Sequence, residues 1–144
     1  FWVEIWDTIG PQIAQVMAGG EATWHEDQHL PIWRNGRMED VWWTYSYSGV
    51  PDDDGGVGGC LVTCQETTAR VRAEAALRES EARFRALFEQ SPLSMVLHDL
   101  EGHPTEANAA FERLWGVSRD AVPPGYSVFA DPQLAAAGVL AHFK

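Results

Sequence analysis

Residues 67–90 read TTARVRAEAALRESEARFRALFEQ, a stretch of 24 residues without glycine or proline. Alanine, leucine, arginine and glutamate dominate it, and these residues lose little conformational freedom on entering a helix. An acid precedes a base by four residues, the favourable order on a helix face, in the pairs Glu74–Arg78, Glu79–Arg83 and Glu81–Arg85. Because Pro92 ends the pattern, the sequence predicts one continuous helix of roughly 36 Å at about 1.5 Å per residue.

One face of the predicted helix carries a dimer seam, which we define as Ala73, Leu77, Ser80, Phe84 and Leu87. These residues alternate spacings of four and three, as in a two-stranded coiled coil. Ala73 and Ser80 put small side chains at core positions, so the seam is weaker than a tight zipper. We therefore expect the helix to pair two copies of the chain into a homodimer with alternative packings.

Composition and charge restrict the classes of function that this chain can have. The chain has 144 residues, 45% of them hydrophobic, and a formal net charge of −11. Residues 1–66 carry 11 acids and 2 bases, residues 67–91 carry 4 and 5, and residues 92–144 carry 6 and 3. Such a chain is poorly suited to nucleic acid or to an anionic membrane surface. No apolar run approaches the ~20 residues of a membrane span, and no signal peptide opens the chain, so we expect a cytoplasmic protein without membrane contact in this segment.

Upstream of this helix, the sequence predicts another helix and then strands. Apolar residues recur every three or four positions from Trp2 to Met17. We expect a kink or break at Gly10-Pro11 and an end at Gly19-Gly20.

Three antiparallel strands are predicted next, at residues 22–33, 37–48 and 57–66. Asn35-Gly36 is a strong hairpin signal between the first two. In the first strand, alternation puts Trp24 and Leu30 on one face. Trp42 lies on the polar face of the second strand, so we expect another group to cover it.

Downstream of the helix, the sequence predicts a short hairpin and several helices. Strands at residues 95–97 and 103–107 flank a turn at Gly102. Asn108 is a good N-cap for a helix that Gly116 ends. Further helical segments are predicted at residues 119–122 and 132–143.

Residues 79–116, ESEARFRALFEQSPLSMVLHDLEGHPTEANAAFERLWG, resemble the opening of a PAS sensor domain. The matching elements are Phe84-Arg85-x-Leu87-Phe88, Ser91-Pro92, Asp99-x-x-Gly102 and Asn108-x-Ala110-Phe111 leading to Gly116. Residues 22–68 are similar to the closing half of another PAS domain. The matching elements there are Arg34-Asn35-Gly36, the strand from Val41 to Ser48, and the run from Gly58-Gly59 to Glu66-Thr67-Thr68.

The resemblance implies an α+β fold with two partial PAS-like units joined by a signalling helix. The units are residues 1–66, the closing half of one domain, and residues 91–144, the opening half of the next, with a coiled-coil linker at 67–90. A straight helix would hold the halves apart, the arrangement we favour; a bent helix with a composite sheet, or exchange between two chains, stays open. Phe1 and Lys144 begin and end the chain abruptly, so we expect a fragment of a longer protein.

Tandem PAS domains of this kind are found in bacterial sensor histidine kinases. The resemblance therefore implies a sensory module of a two-component system that relays the state of a ligand or partner to a kinase domain of the parent protein. We expect Glu66, Thr67 and Thr68 to pass movement of the sheet to the linker helix. The rival interpretation is an enzyme fragment, although the chain has no catalytic set.

A ligand site is predicted at Trp43, Tyr45 and Tyr47, which share one face of a strand. The sequence alone favours the sheet core for these side chains, and in a complete PAS fold they would also form one wall of a pocket for an unknown small ligand. A different class of function would be a carbohydrate-binding module with a sugar-stacking platform of Trp24, Trp33, Trp42 and Trp43.

Metals and cofactors are not expected. The acidic loop at residues 52–54 lacks a carboxylate at the twelfth position of a calcium loop. His25 and His29 are predicted as surface residues too far apart on a strand to share a metal. Cys60 and Cys64 would lie about 13 Å apart at ~3.3 Å per residue, too far to form a disulfide, so we expect reduced thiols. Neither cysteine lies in the sequence signature of a flavin-binding PAS domain.

Overall fold

The computed structural model describes residues 2–118 and 121–138. It divides into two compact units, Phe1–Arg78 and Glu79–Lys144. Helices flank antiparallel sheets in an α+β arrangement, which confirms the predicted fold class. None of the helices in the described ranges combines the length and hydropathy that a membrane span requires.

The first unit opens with a 3-10 turn, Val3–Ile5, and helix α1, Trp6–Met17. Of the predicted kink or break at Gly10-Pro11, the break is wrong, because α1 continues through both residues. Pro11 removes one backbone hydrogen-bond donor, but Ile9 and Val16 are buried in the core. Packing of this amphipathic face stabilises the helix despite the lost bond.

The end of α1 is as predicted. Gly19 has a φ of 86°, and its N–H donates to the carbonyl of Val16 at 3.0 Å. The N–H of Gly20 donates to the carbonyl of Gln15 at 2.9 Å. These two bonds satisfy carbonyls that the last turn leaves free, as in a Schellman motif.

The first two predicted strands are each divided in two, which corrects the three-strand meander. The strands are β1 Thr23–His29, β2 Ile32–Arg34, β3 Arg37–Glu39, β4 Trp42–Pro51 and β5 Val57–Glu66. The sheet has the order β1-β4-β5, while β2 and β3 form a separate hairpin around Asn35-Gly36, whose φ angles are 55° and 76°. Leu30 and Val41 lie at the divisions and are buried, and Pro31 supplies no ladder N–H.

A bulge at Asp27 changes which side chains of β1 lie on each face of the sheet. The register with β4 shifts between His25 and Gln28, and Asp27 has a φ of 49°. The prediction that Trp24 and Leu30 share a face is therefore wrong: Trp24 is 66% exposed and Leu30 only 5%. A bulge reverses the alternation on which that prediction depended.

The core of the first unit lies between α1 and the inner face of the sheet. The predicted alternation of β4 is confirmed, since Tyr45 and Tyr47 are each 4% exposed. The remaining core side chains are Ile5, Ile9, Val16, Leu30, Ile32 and Val41.

Helix α2, Thr68–Gln90, is continuous and begins one residue later than predicted. Only Thr67 separates it from β5. In the second unit, Phe88 of this helix is 2% exposed.

The second unit contains the predicted hairpin, formed by β6 Val96–His98 and β7 Pro104–Ala107. Helix α3, Ala109–Trp115, starts at the Asn108 cap and ends at Gly116, whose φ is 66°. Helix α4, Pro132–Ala136, is shorter than the predicted segment 132–143, because Gly138 takes a φ of 70° two residues later. Residues 119, 120 and 139–143 of the predicted helices lie outside the described residues.

Candidate functional site

The structure brings the predicted ligand-binding residues together around a small cavity in the first unit. Trp43, Tyr45 and Tyr47 form part of its wall on the inner face of the sheet. The cavity has a volume of about 50 Å³, well below the few hundred Å³ of a drug-sized ligand site. Its other lining residues are Trp2, Ile5, Ile9, Leu30, Ile32, Val62 and Cys64.

Polar groups of this wall join it to neighbouring elements. The Tyr45 hydroxyl donates to Oε1 of Gln28 at 2.6 Å and accepts from Nε2 of Gln12 at 3.2 Å. His25, predicted on the surface, is half-buried and stacks on Tyr45 with ring centroids 5.0 Å apart. Burial raises the pKa of Tyr47 to about 12. The Tyr45 hydroxyl thus connects β4 to both β1 and α1.

The junction of β5 and α2 holds the predicted relay residues. The N–H of Thr67 donates to the carbonyl of Trp42 at 2.8 Å. The N–H of Trp42 donates in turn to Oγ1 of Thr68 at 3.0 Å. Thr67 and Thr68 are each 8% exposed. The hydrogen-bond ladder between β4 and β5 therefore continues into the first residue of the helix.

Glu66, the third relay residue, pairs with the β2–β3 hairpin. Both of its carboxylate oxygens accept from the Arg34 guanidinium, at 2.7 and 2.9 Å, and this pairing lowers the pKa of Glu66. Arg34 also donates to Glu39 at 2.7 Å. Hydrogen bonds from Arg34, Asn35 and Arg37 lower the pKa of Glu39 to about 2. A bidentate guanidinium–carboxylate pair fixes geometry as well as charge.

Two arginines in the first two turns of α2 also bind the first unit. The Arg72 guanidinium lies over Trp42, 5.7 Å from the ring centroid, and donates to the carbonyl of Asp40 at 2.9 Å. His29 lies against the same indole at 4.6 Å and binds the Asp40 carboxylate at 2.8 Å. The prediction that another group covers Trp42 is confirmed.

Arg70 binds Asp27, the bulged residue of β1, with Nη2 close to both carboxylate oxygens. The Thr67 hydroxyl and the Arg70 guanidinium together lower the pKa of Asp27. Sequence reasoning missed this contact, and the bulge that allows it has no evident signal in the residues around Asp27. Arg70 itself had a signal, because it continues the seam spacing three residues before Ala73.

The dimer seam is exposed along the helix. Leu77 is 60% exposed, Phe84 49% and Leu87 68%, and Ala73 and Ser80 are exposed as well. Of the predicted ion pairs on this helix, Glu79–Arg83 forms at 3.8 Å, while Glu74 pairs with Arg70 at 2.8 Å. The three large apolar side chains of the seam are therefore accessible on the helix surface.

Asn108 connects several segments of the second unit and is completely buried. Its Oδ1 accepts from the N–H of Phe111 at 2.9 Å, the predicted N-cap bond, and from the N–H of Met95 at 3.0 Å. Its Nδ2 donates to the carbonyls of Phe88 at 2.9 Å and Leu93 at 2.8 Å. One side chain thereby joins the end of α2, the following loop and the start of α3.

The turn between β6 and β7 is closed by Asp99. Its Oδ1 accepts from the backbone N–H groups of Glu101 at 3.0 Å and His103 at 2.8 Å, and the His103 bond is the main cause of its lowered pKa. Asp99, Glu101 and His103 also place potential metal-ligand atoms within 4.8 Å of one another. All three are exposed, and Asp99 is already occupied by the turn, so the arrangement serves to close the hairpin.

Alanine at Gly102 is expected to destabilise this hairpin by about 2 kcal/mol, because Gly102 has a φ of 83° and a Cβ would lie 2.7 Å from Phe129. Alanine at Gly116 is the control: its φ is 66° but its Cβ would meet nothing within 4 Å, so about 1 kcal/mol is expected. Amide hydrogen exchange in β6 and β7 measures the first loss. Equal protection in β6 and β7 for the Gly102 variant and the unaltered chain would refute the packing argument.

The proposed sugar platform has no common surface. Trp43 lies on the inner face of the sheet, and Trp24 pairs with Ser46 on the outer face. Arg72 covers Trp42, while Trp33 belongs to the separate β2–β3 hairpin. A stacking platform needs aromatic rings side by side on one face, and these tryptophans do not provide it.

Comparison with known families agrees with this geometry. Residues 4–72 match a family model described as a PAS fold, and residues 82–140 match one described as a PAS domain. The matches share no residue, and together they support a PAS domain region in this chain. No curated protein matches the chain. PAS domains indicate a sensory or signalling module, and that is the class to which the fold and its matches point.

Proposed function

We propose that this chain is the relay segment of a two-component-type sensor in the cytoplasm. Residues 1–66 would close one PAS domain, residues 67–90 would form the linker helix, and residues 91–144 would open a second PAS domain. The separate family matches at residues 4–72 and 82–140 support this division. The observation that carries the proposal is the junction at Thr67, where a strand of the sheet passes directly into α2.

The relay acts mechanically. A displacement of β4 relative to β5 changes the position of Trp42, whose backbone is bonded on one side to Thr67 and on the other to Thr68. Glu66 adds the β2–β3 hairpin to the same junction through Arg34. Since an α-helix is stiff along its axis, movement of its first turn becomes rotation or translation of its seam.

The input is a small molecule or a protein partner at the inner face of the sheet. The cavity beside Trp43, Tyr45 and Tyr47 is mostly apolar and holds about 50 Å³, which suits a ligand of a few atoms. Nε1 of Trp43 is buried without a hydrogen-bond partner among the described residues. A ligand with one acceptor atom would satisfy it. The proposal includes no cofactor.

The output is a change in helix pairing that a kinase domain of the parent protein detects. The seam from Ala73 to Leu87 follows coiled-coil spacing and is exposed, and a second copy offers a seam of identical spacing. The parent would be a histidine kinase whose catalytic groups lie in other residues. No observation at the site favours the enzyme-fragment alternative or the carbohydrate-binding alternative.

Replacement of Arg34 by glutamine tests the junction. Loss of the bidentate bond to Glu66 is expected to speed amide hydrogen exchange at residues 68–75 no more than several-fold, because an exposed ion pair of this kind contributes little free energy. Arg37→Gln is the matched control, since Arg37 binds Glu39 at 3.1 Å but not Glu66. Exchange mass spectrometry on the whole chain gives both values. If the two variants exchange alike in residues 68–75, the junction does not transmit the state of the hairpin.

A further inference from the structure

Arg70 occupies a seam position although it is charged. The series Arg70, Ala73, Leu77, Ser80, Phe84 and Leu87 keeps alternating spacings of three and four. In a parallel pair of helices, identical seam positions face each other across the interface. Two Arg70 side chains would therefore meet there, and like charges in contact oppose pairing.

In the structure the Arg70 guanidinium is instead bound by residues of its own chain. Its guanidinium binds both oxygens of the Asp27 carboxylate and the carboxylate of Glu74. Asp27 is aimed by its bulge: its φ is 49°, and its own N–H donates to Oγ1 of Thr44 at 3.2 Å. The contact therefore joins the bulge of β1 to a seam residue of α2.

We propose that the Asp27–Arg70 contact is a latch that determines where helix pairing between two copies of this chain begins. The inference rests on the proposed function, since it requires pairing along α2. With the latch closed, Arg70 is neutralised outside the seam, and pairing extends to Ala73. With the latch open, Arg70 returns to the seam and separates the helices near Ala73, while pairing around Leu87 is retained.

The latch gives the first unit a second route to the helix. Thr67 and Thr68 bind the central strand β4, whereas Arg70 binds the edge strand β1. An input that moves the β1 bulge by an ångström or more removes a hydrogen-bonded contact, which tolerates little extension. The same input then changes the charge at the start of the seam without unfolding the helix.

Disulfide crosslinking of the whole chain tests the latch. Cys60 and Cys64 are both free and are replaced by alanine. Ala73→Cys and Leu87→Cys then report pairing at the two ends of the seam in separate proteins. Each is combined with Asp27→Asn, which opens the latch, with Arg70→Leu, which opens it but puts an apolar group in the seam, or with Glu26→Gln, a change at the exposed neighbour of Asp27, as the control.

Asp27→Asn is expected to lower the crosslinking rate at position 73 by roughly two- to fivefold, the effect of one exposed ion pair, and to leave position 87 unchanged. Arg70→Leu is expected to raise the rate at position 73, and Glu26→Gln to leave both positions unchanged. A fall at position 73 in Arg70→Leu as large as in Asp27→Asn would overturn the latch in favour of a purely structural contact. Crosslinking at both positions that Asp27→Asn does not alter would overturn it while leaving helix pairing intact. Absence of crosslinking at both positions in the unaltered background would overturn the proposed pairing and the latch together, and its absence at position 73 alone would overturn the latch.

Discussion

Replacement of Asn108 by alanine is expected to destabilise the second unit by about 3 kcal/mol. The side chain makes four hydrogen bonds, to Phe88, Leu93, Met95 and Phe111, and has no exposed surface. Each bond contributes about 0.5–1.5 kcal/mol, and alanine leaves buried backbone groups without partners. Amide hydrogen exchange across residues 93–112 measures the loss.

Asn108→Ser separates the two roles of this residue. Serine caps a helix nearly as well as asparagine, so it restores the bond to Phe111 and about 1 kcal/mol of the loss. It is too short to hold Phe88 and Leu93 together. A serine variant as stable as the unaltered chain would show that Asn108 acts as a helix cap alone and does not join α2 to the hairpin.

Leu77→Asp is expected to abolish helix pairing. Leu77 lies in the middle of the seam and is 60% exposed in the single chain, so the substitution costs the monomer little. In a paired helix the same carboxylate would be buried opposite its copy, which costs several kcal/mol and lowers the affinity at least a hundredfold. Light scattering at several protein concentrations measures the change in mass.

Ala75→Asp is the matched control for this substitution. It adds the same charge two residues away, on the side of α2 opposite the seam. The control is expected to pair like the unaltered chain. Equal loss of pairing in the two variants would show that the added charge lowers the affinity and that the seam does not determine pairing.

Features set by neighbouring residues could be predicted from the sequence. The absence of glycine and proline defined α2 to within one residue. Asn35-Gly36, Gly102 and Gly116 each take the positive φ expected of a turn or helix end. The alternation of β4 correctly placed Tyr45 and Tyr47 in the core.

Features that depend on contacts between distant residues could not be predicted from the sequence. The bulge at Asp27 depends on Thr44 and Arg70, which lie 17 and 43 residues away. The passage of α1 through Pro11 depends on burial of Ile9 and Val16. Neither feature follows from local propensity, and tertiary contacts determine both.

The candidate site also combines local features that could be predicted with distant contacts that could not. Glu66, Thr67 and Thr68 were predicted as relay residues from their resemblance to a PAS exit, and the structure adds their partners, Arg34 and Trp42. The sequence also identified the Asn108 cap. It contained no sign that the Asn108 amide reaches back to Phe88, because nothing local relates residues separated by 20 positions.

Sedimentation equilibrium of the unaltered chain beside Leu77→Asp tests the central claim, that α2 relays a signal by pairing two chains. We expect a concentration-dependent dimer for the unaltered chain and a monomer for Leu77→Asp at every concentration. An unaltered chain that stays monomeric at high concentration, or a Leu77→Asp variant that pairs equally well, would contradict it.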